Sequence, residues 1–521
     1  MSKRRRVSRG ILGVPRQGQI LFSFQTREGE EWPSEDDDSD FSPGYSDSDE
    51  ERTKTPTVKK QRKQESSKTC KPDDSKSIIA TRTTKGLKGV SDVSVPGLPP
   101  ELWLKIFILV VQEEGALPTL PRLRKVCHMF AELVNRPELW RKVDMNSGLY
   151  QGWKKMNEAR FKKFCEKSLT ACHSLNVSGC PFMSKTWAVS ALCQHVGVLR
   201  SLNLSNCSKL PAGSMETIVR ACQHLRELDL SNTTPDSVST KTISTISEQL
   251  GQNLTRLSLA NNRLDGFSRI INILAQECPN LQHLDLSNCK AQNAINIEQL
   301  QSAFPKLQSL YLSNTLLGCS HSTREAIDAS QGFPLLEELS LACQDTTLIT
   351  ETFVSRMLKC SPKLRLLDLR GCVKTNVVGC LKDIEADNVE QLFLGKSQAS
   401  SCEELPHIIR KYCPTRIRTR KWRHSLTHLD LSGIVGQGRL IKLVDDSLRV
   451  LHARNTHTTL QHINLSGSNC STTAIRELLT NCISIEDLNL TSCRELARGI
   501  KREYKNRREM SNLKKDLQKK S

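Results

Sequence analysis

The sequence predicts an α/β chain: a solenoid of short strands and outer helices, preceded by a small all-α module and a charged N-terminal tail expected to be disordered. Three observations predict it. From residue 172 onward one apolar phrase recurs, mostly at intervals of roughly 25 to 29 residues. Before it, residues 98–144 carry apolar side chains at helical spacing. Residues 1–94 hold too little apolar surface to offset chain entropy.

The totals fit that division. A chain of 521 residues exceeds the usual single domain, and 37% apolar with only 5% aromatic content suits many small aliphatic units. No apolar run approaches the roughly 20 residues needed to cross a bilayer; residues 103–111 come nearest and contain Lys105. The opening MSKRRRVSRG leads into Gly, Pro, Arg and Gln rather than an apolar segment, so no secretory signal and no membrane are expected. A reducing compartment follows. There, 20 cysteines with no C-x-x-C spacing imply neither a disulfide framework nor a metal site, and no cofactor is expected.

In the tail (1–94), basic clusters at Lys3, Arg4, Arg5, Arg6 and at Lys59, Lys60, Arg62, Lys63 flank an acidic, serine-rich run at 34–51. The clusters read as nuclear-import signals or as solubilising charge, which gives a nuclear and/or cytoplasmic expectation.

Residues 95–145 form the helical module. Leu98, Leu102, Ile106 and Phe107 follow a Leu-Pro-Pro start suited to a first helical turn; Leu120, Leu123, Val126, Phe130 and Leu133 make a second set, followed by Pro137 and the pair Leu139-Trp140. These residues resemble the F-box, whose pattern of Leu-Pro-x-Glu, Ile-Phe, Val-Cys and Leu-Trp is present at Leu98-Pro99, Glu101, Ile106-Phe107, Val126-Cys127 and Leu139-Trp140. Two departures are about five extra residues around 113–118, and Phe130 where the family usually has Trp. The resemblance implies docking on a Skp adaptor through Leu98, Pro99, Glu101, Leu102, Ile106, Phe107, Val126, Leu139 and Trp140.

Residues 146–495 carry the phrase L-x-x-L-x-L-x-x-(C/N/T), beginning at Cys172, Leu199, Leu225, Leu254, Leu281, Leu307, Leu336, Leu364, Val389, Leu426, Leu460 and Ile485. This is the leucine-rich-repeat period: each of about twelve units offers a strand to the inside of a horseshoe and a helix to its outside. Leu448 to Ala453 is a poor further match, too close to Leu460, so 426–460 is expected as one irregular repeat. In NLQHLDLSNC (280–289), Leu284 and Leu286 are expected inward, with His283, Asp285 and Ser287 on the inner surface and Asn288-Cys289 turning the chain. Cys180, Cys207, Cys289, Cys372 and Cys493 share the turn position, where a free thiol serves as a small buried hydrophobe; Cys222, Cys278, Cys360 and Cys482 are expected to close the outer helices. His452, His457 and His462 read as surface residues.

The order of tail, F-box and cysteine-type repeats resembles the F-box/leucine-rich-repeat proteins. The resemblance implies a non-catalytic substrate receptor of a Skp-cullin-F-box ubiquitin ligase, with Skp adaptor, cullin and RING subunits as partners and a protein substrate held by the repeats. No phosphate loop, nucleophile elbow or paired catalytic carboxylates stand against this, and no catalytic residue is expected. On the inner surface, Arg256, Tyr311, Leu366, Arg370 and Phe393 stand out among Ser, Asn and Asp as substrate candidates. The interval 389–426 is stretched to 37 residues and includes a basic segment, 416–424, with Trp422, suited to an acidic partner or nucleic-acid phosphate or packed on the neighbouring coil. Residues 496–521 are expected as a basic C-terminal tail forming a frayed helix, suited to nuclear retention or simply solvated. The competing expectation is a nuclear repeat scaffold or nucleic-acid-associated protein acting outside a ligase.

Overall fold

The computed structural model describes residues 98–146, 156–319, 325, 330–344, 349–382, 384–386, 388–403, 405–406, 409, 425–436, 438–452 and 459–519. The import clusters, the acidic run, the basic segment with Trp422, and His457 lie outside the described residues. Residues 95–521 make one compact unit.

It opens with three helices, α1 (Pro100–Glu114), α2 (Thr119–Leu123) and α3 (His128–Leu133), and a 3-10 turn, Pro137–Trp140. Pro100 sits where the helix has no use for its missing amide, and Gly115, at φ +89°, ends α1. Trp103, Phe107 and Phe130 form the aromatic centre, the Phe107 and Phe130 rings meeting edge to face at 4.8 Å. Phe130 therefore does the packing expected of the larger ring.

Twelve strands follow, each beginning two residues after the first residue of one predicted phrase: β2 (Ser174–Asn176), β3 (Ser201–Asn203), β4 (Glu227–Asp229), β5 (Arg256–Ser258), β6 (His283–Asp285), β8 (Ser309–Tyr311), β10 (Glu338–Ser340), β11 (Leu366–Asp368), β12 (Gln391–Phe393), β13 (His428–Asp430), β14 (His462–Asn464) and β15 (Asp487–Asn489). They pair in parallel, in register, along one sheet. Two short strands, β7 (Ile295–Asn296) and β9 (Leu317–Gly318), pair separately. Leu443–His452, which includes most of the poor match at 448–453, is the outer helix of the irregular repeat.

The sheet has one more strand at each end than the phrases foretold. β1 (Lys142–Asp144) pairs with β2, and it follows directly on the Leu139-Trp140 pair. The expected boundary near 145 is therefore shared: Trp140, Val143 and Met145 repeat the spacing of the phrase, and all three are buried. At the other end the expected basic helix is present but packed against the last coil instead of frayed. β16 (Glu503–Tyr504) pairs antiparallel with β15, and the helix Asn506–Lys519 buries Met510, Leu513 and Leu517 beside the helix Thr472–Asn481. Those three residues lie on one helical face, and covering the last coil removes an exposed apolar edge.

A single turn chemistry recurs after the strands. Three residues past the strand the backbone is left-handed at Gly179, Asn206, Asn232, Asn261, Asn288, Asn314, Gly371, Gly433 and Gly467, the residue types that tolerate it best, and also at Lys396 and Ser492. The next position holds the first cysteine series. These thiols are buried, as expected, but each also donates to a carbonyl of the preceding coil: Cys180 to Met145, Cys289 to Leu259 and Cys493 to Leu465 at 2.9, 3.1 and 3.0 Å. Thr315 and Asn262 fill the same place and donate to Leu286 and Leu230, so the position accommodates a donor as well as a hydrophobe such as the buried Ile434. Burial raises the Cys207 thiol to about 11 and the Cys289 thiol to about 12, which keeps both protonated. In the second series Cys222, Cys278 and Cys482 close their helices through their own amides, while Cys360 takes a left-handed φ just past Glu351–Leu358.

Candidate functional site

Two surfaces carry the expected site residues. On the helical module, Leu98, Leu102, Ile106 and Val126 are exposed apolar side chains, with Pro99 and Glu101 exposed beside them. Leu109 joins them: at 61% exposure it completes the spacing i, i+4, i+7 with Leu102 and Ile106 on one face of α1, and Val126 is 59% exposed. Five of the eleven large exposed hydrophobics among the described residues thus fall between 98 and 126, which is the signature of a contact surface. The F-box pattern omits Leu109, although the helical period alone reaches it.

Phe107, Leu139 and Trp140 are not presented to a partner. Each is buried, and Trp140 donates its indole N–H to the Val134 carbonyl at 2.7 Å while its ring meets Phe164 of the first outer helix, Glu158–Ser168, at 6.0 Å. They hold the module together and join it to the sheet.

On the inner face of the sheet the third residue of most strands is Asp or Asn, and its side chain accepts the amide two residues on: Asn176 from Ser178, Asn203 from Ser205, Asp229 from Ser231, Asp285 from Ser287, Asp430 from Ser432, all at 2.8 to 3.0 Å. This Asx turn gives the acidic ladder a structural role. Burial raises the Asp285 carboxyl to about 6, against the amide and hydroxyl of Ser287 that lower it.

Tyr311 and Phe393 stand where the ladder would have Asp or Asn. The Tyr311 hydroxyl donates to Glu338, which also accepts from Ser309 at 3.0 Å; burial and that carboxylate push the phenol upward, so it stays protonated. Phe393 and Leu366 are corrections to the expectation of exposed anchors. Phe393 is fully buried, with the Arg370 guanidinium 5.3 Å from its ring centroid, and Leu366 is buried in register between Glu338 and Gln391. Neighbouring parallel strands lie only about 4.8 Å apart, so a large side chain there is roofed by its neighbours.

Arg370 remains partly exposed, its Nε and Nη2 donating to Asp368 at 2.9 and 2.8 Å. Burial opposes its charge, but Asp368, with Asp430 behind it, holds the guanidinium above its ordinary range. Leu366 on β11, Phe393 on β12 and Arg370 in the turn just after β11 thus cluster, while Tyr311 lies two strands away on β8 and Arg256 two further on β5, 3.7 Å from Glu227.

Linear spacing missed one inner-face group. His462 is buried rather than a surface residue: its Nδ1 lies 2.6 Å from Asp487 Oδ2, and its ring stacks on His428, centroids 4.2 Å apart. His428 and His462 hold the same place in successive phrases, so aligning the phrases would have paired them. Among the described residues no three His, Cys, Asp or Glu side chains gather as metal ligands, and no helix is long and apolar enough to cross a membrane.

Residues 95–146 match the family model described as F-box-like. The chain is similar to the F-box protein SKIP19 of Arabidopsis thaliana, 25% identical over 223 residues that cover 38% of this chain and 70% of that protein. It is also similar to F-box/LRR-repeat protein 4 of Bos taurus, 27% identical over 304 residues covering 57% of this chain and 45% of the relative, so it spans less than half of that protein's length. Among solved structures it resembles a chain of the yeast Rad7 and Elc1 complex, at 15% identity and a TM-score of 0.42, covering 78% of this chain and 96% of that one. The Leptospira interrogans LRR protein LIC12759 gives 18% identity and a TM-score of 0.37, covering 68% and 79%.

Proposed function

We propose that the chain is an F-box/leucine-rich-repeat protein that serves as the substrate-receptor subunit of a Skp-cullin-F-box ubiquitin ligase. The observation that carries this reading is the apolar face of α1 and its neighbour: Leu98, Leu102, Ile106, Leu109 and Val126, exposed together on a helical module. Such a face, left open to water, is stabilised by covering it, and the Skp adaptor is the partner that F-box proteins use there.

In this role the chain performs no bond chemistry. It holds a substrate near an enzyme docked elsewhere on the ligase, and the rate gain comes from effective concentration at the reacting thioester. The inner face from β5 to β12 is the proposed substrate surface. Arg256, Tyr311 and Arg370 are its accessible members, with Leu366 and Phe393 as support beneath. The basic clusters at 3–6 and 59–63 are proposed to direct nuclear entry; a reporter fused to residues 1–94 that stays cytoplasmic would remove that part.

Affinity purification of the full chain tests the reading. Skp adaptor and cullin are expected with the wild-type chain and lost with Leu109→Glu plus Val126→Glu, whose thermal unfolding should match wild type because both side chains are exposed. Their absence from the wild-type purification, with the adaptor present in the lysate, would overturn it.

A further inference from the structure

Residues 494–515 hold nine Lys or Arg against three Glu, and the structure makes this segment the outer cover of the last coil rather than a loose tail. Its large apolar side chains are all spent inward: Leu496, Ile500, Tyr504, Met510 and Leu513 are buried. Two of its three glutamates are engaged locally, Glu503 with Lys505 at 3.0 Å and Glu509 with the Lys505 amide at 2.8 Å. Arg507 reaches Glu486 at 3.1 Å and is still 84% exposed. Arg508 and Lys515 are exposed and have no ion-pair partner among the described residues. Seven residues apart on the helix Asn506–Lys519, they lie two turns, about 10 Å, along one face.

We propose that this C-terminal cover is a binding surface for the phosphodiester backbone of nucleic acid. A protein partner would need an apolar or aromatic anchor at its centre, and the segment buries every one it has. A phosphate backbone needs only cations in an ordered row, and Arg offers it paired donors. With Tyr504 buried beneath Arg502, whose guanidinium is 4.5 Å from the ring centroid, no aromatic face is left for a base to stack on. Recognition is therefore of the backbone and independent of sequence. The surface lies at the opposite end of the sheet from β1 and the F-box, so adaptor docking leaves it open.

Fluorescence anisotropy of the full chain on labelled duplex DNA and single-stranded RNA tests this, comparing wild type with Arg508→Glu plus Lys515→Glu. The double variant should bind about tenfold more weakly at moderate salt, and the slope of log affinity on log salt should fall in magnitude by about 2. Adaptor co-purification should be unchanged, which separates this proposal from the receptor reading. Equal affinity and slope in the two proteins would overturn it. So would competition by polyglutamate or by anionic lipid vesicles as effective as that by unlabelled DNA, since those results assign the surface to acidic protein or to membrane.

Discussion

The imidazole of His462 stacks on that of His428 at 4.2 Å while its Nδ1 meets Asp487 at 2.6 Å. Burial, and then the neighbouring His462, lower the His428 pKa to about 4. An unfolded histidine titrates near 6.5, so between those values the unfolded chain binds the extra proton and the folded one does not. Stability is lost as pH falls through that window. Replacing His428 with Gln removes this proton linkage. Chemical unfolding should therefore show the variant gaining on wild type between pH 7 and pH 5; parallel pH profiles would sink the idea. His283, lowered to about 4, acts in the same direction and Asp285 in the opposite one, but both are common to the two proteins and drop out of the comparison.

The Cys289 thiol, donating to Leu259 across the coil boundary, should be replaceable by a small donor. Cys289→Ala leaves a void and an acceptor short of one donor, and should cost about 1 to 2 kcal/mol. Cys289→Thr should cost less, since Thr315 already fills this place. The shift of the urea midpoint checks both, and a threonine variant less stable than the alanine one would refute the donor role.

At Gly371 the left-handed φ is only half of the constraint. A Cβ there would come 1.9 Å from the Cys343 carbonyl oxygen, so Gly371→Ala must displace backbone and should lower the thermal midpoint clearly, by more than about 1 kcal/mol in stability. Asn261, also left-handed, should accept glycine at a cost of only a few tenths of a kcal/mol. Similar effects of the two changes would mean that the close approach is unimportant.

The terminal helix predicts a local effect. Leu513→Asp places a charge in the buried seam beside Thr472–Asn481, and in a repeat array such damage stays near its end. Hydrogen exchange should quicken over residues 460–519 and change little over β2 to β6. Uniform quickening would show that the sheet unfolds as one body.

Much of this molecule was legible as text. All twelve strands sit at one offset from the phrases, because the apolar spacing is set by strand alternation and outer-helix packing, both local. What escaped were residues with two roles. Trp140 was taken up by the F-box pattern, which hid a thirteenth copy of the phrase in Trp140, Val143 and Met145. Positive charge masked the Met510, Leu513, Leu517 stripe. Of the site residues, the periodicity of α1 could have given Leu109, and lining up phrases could have given the His428 and His462 pair. That Phe393 lies under Arg370 depends on side-chain reach between coils, which no single phrase records.

Trp140 has one further consequence. The same indole closes the helices of the F-box-like module and begins the first rung of the sheet, so no slack tether intervenes between them. On the receptor reading the sheet becomes a ruler: each successive rung stands about one strand spacing, roughly 4.8 Å, farther from the docking face. Which lysine of a client is offered for modification would then depend on the rung it grips, and on that lysine's distance from the grip, more than on the residues around it.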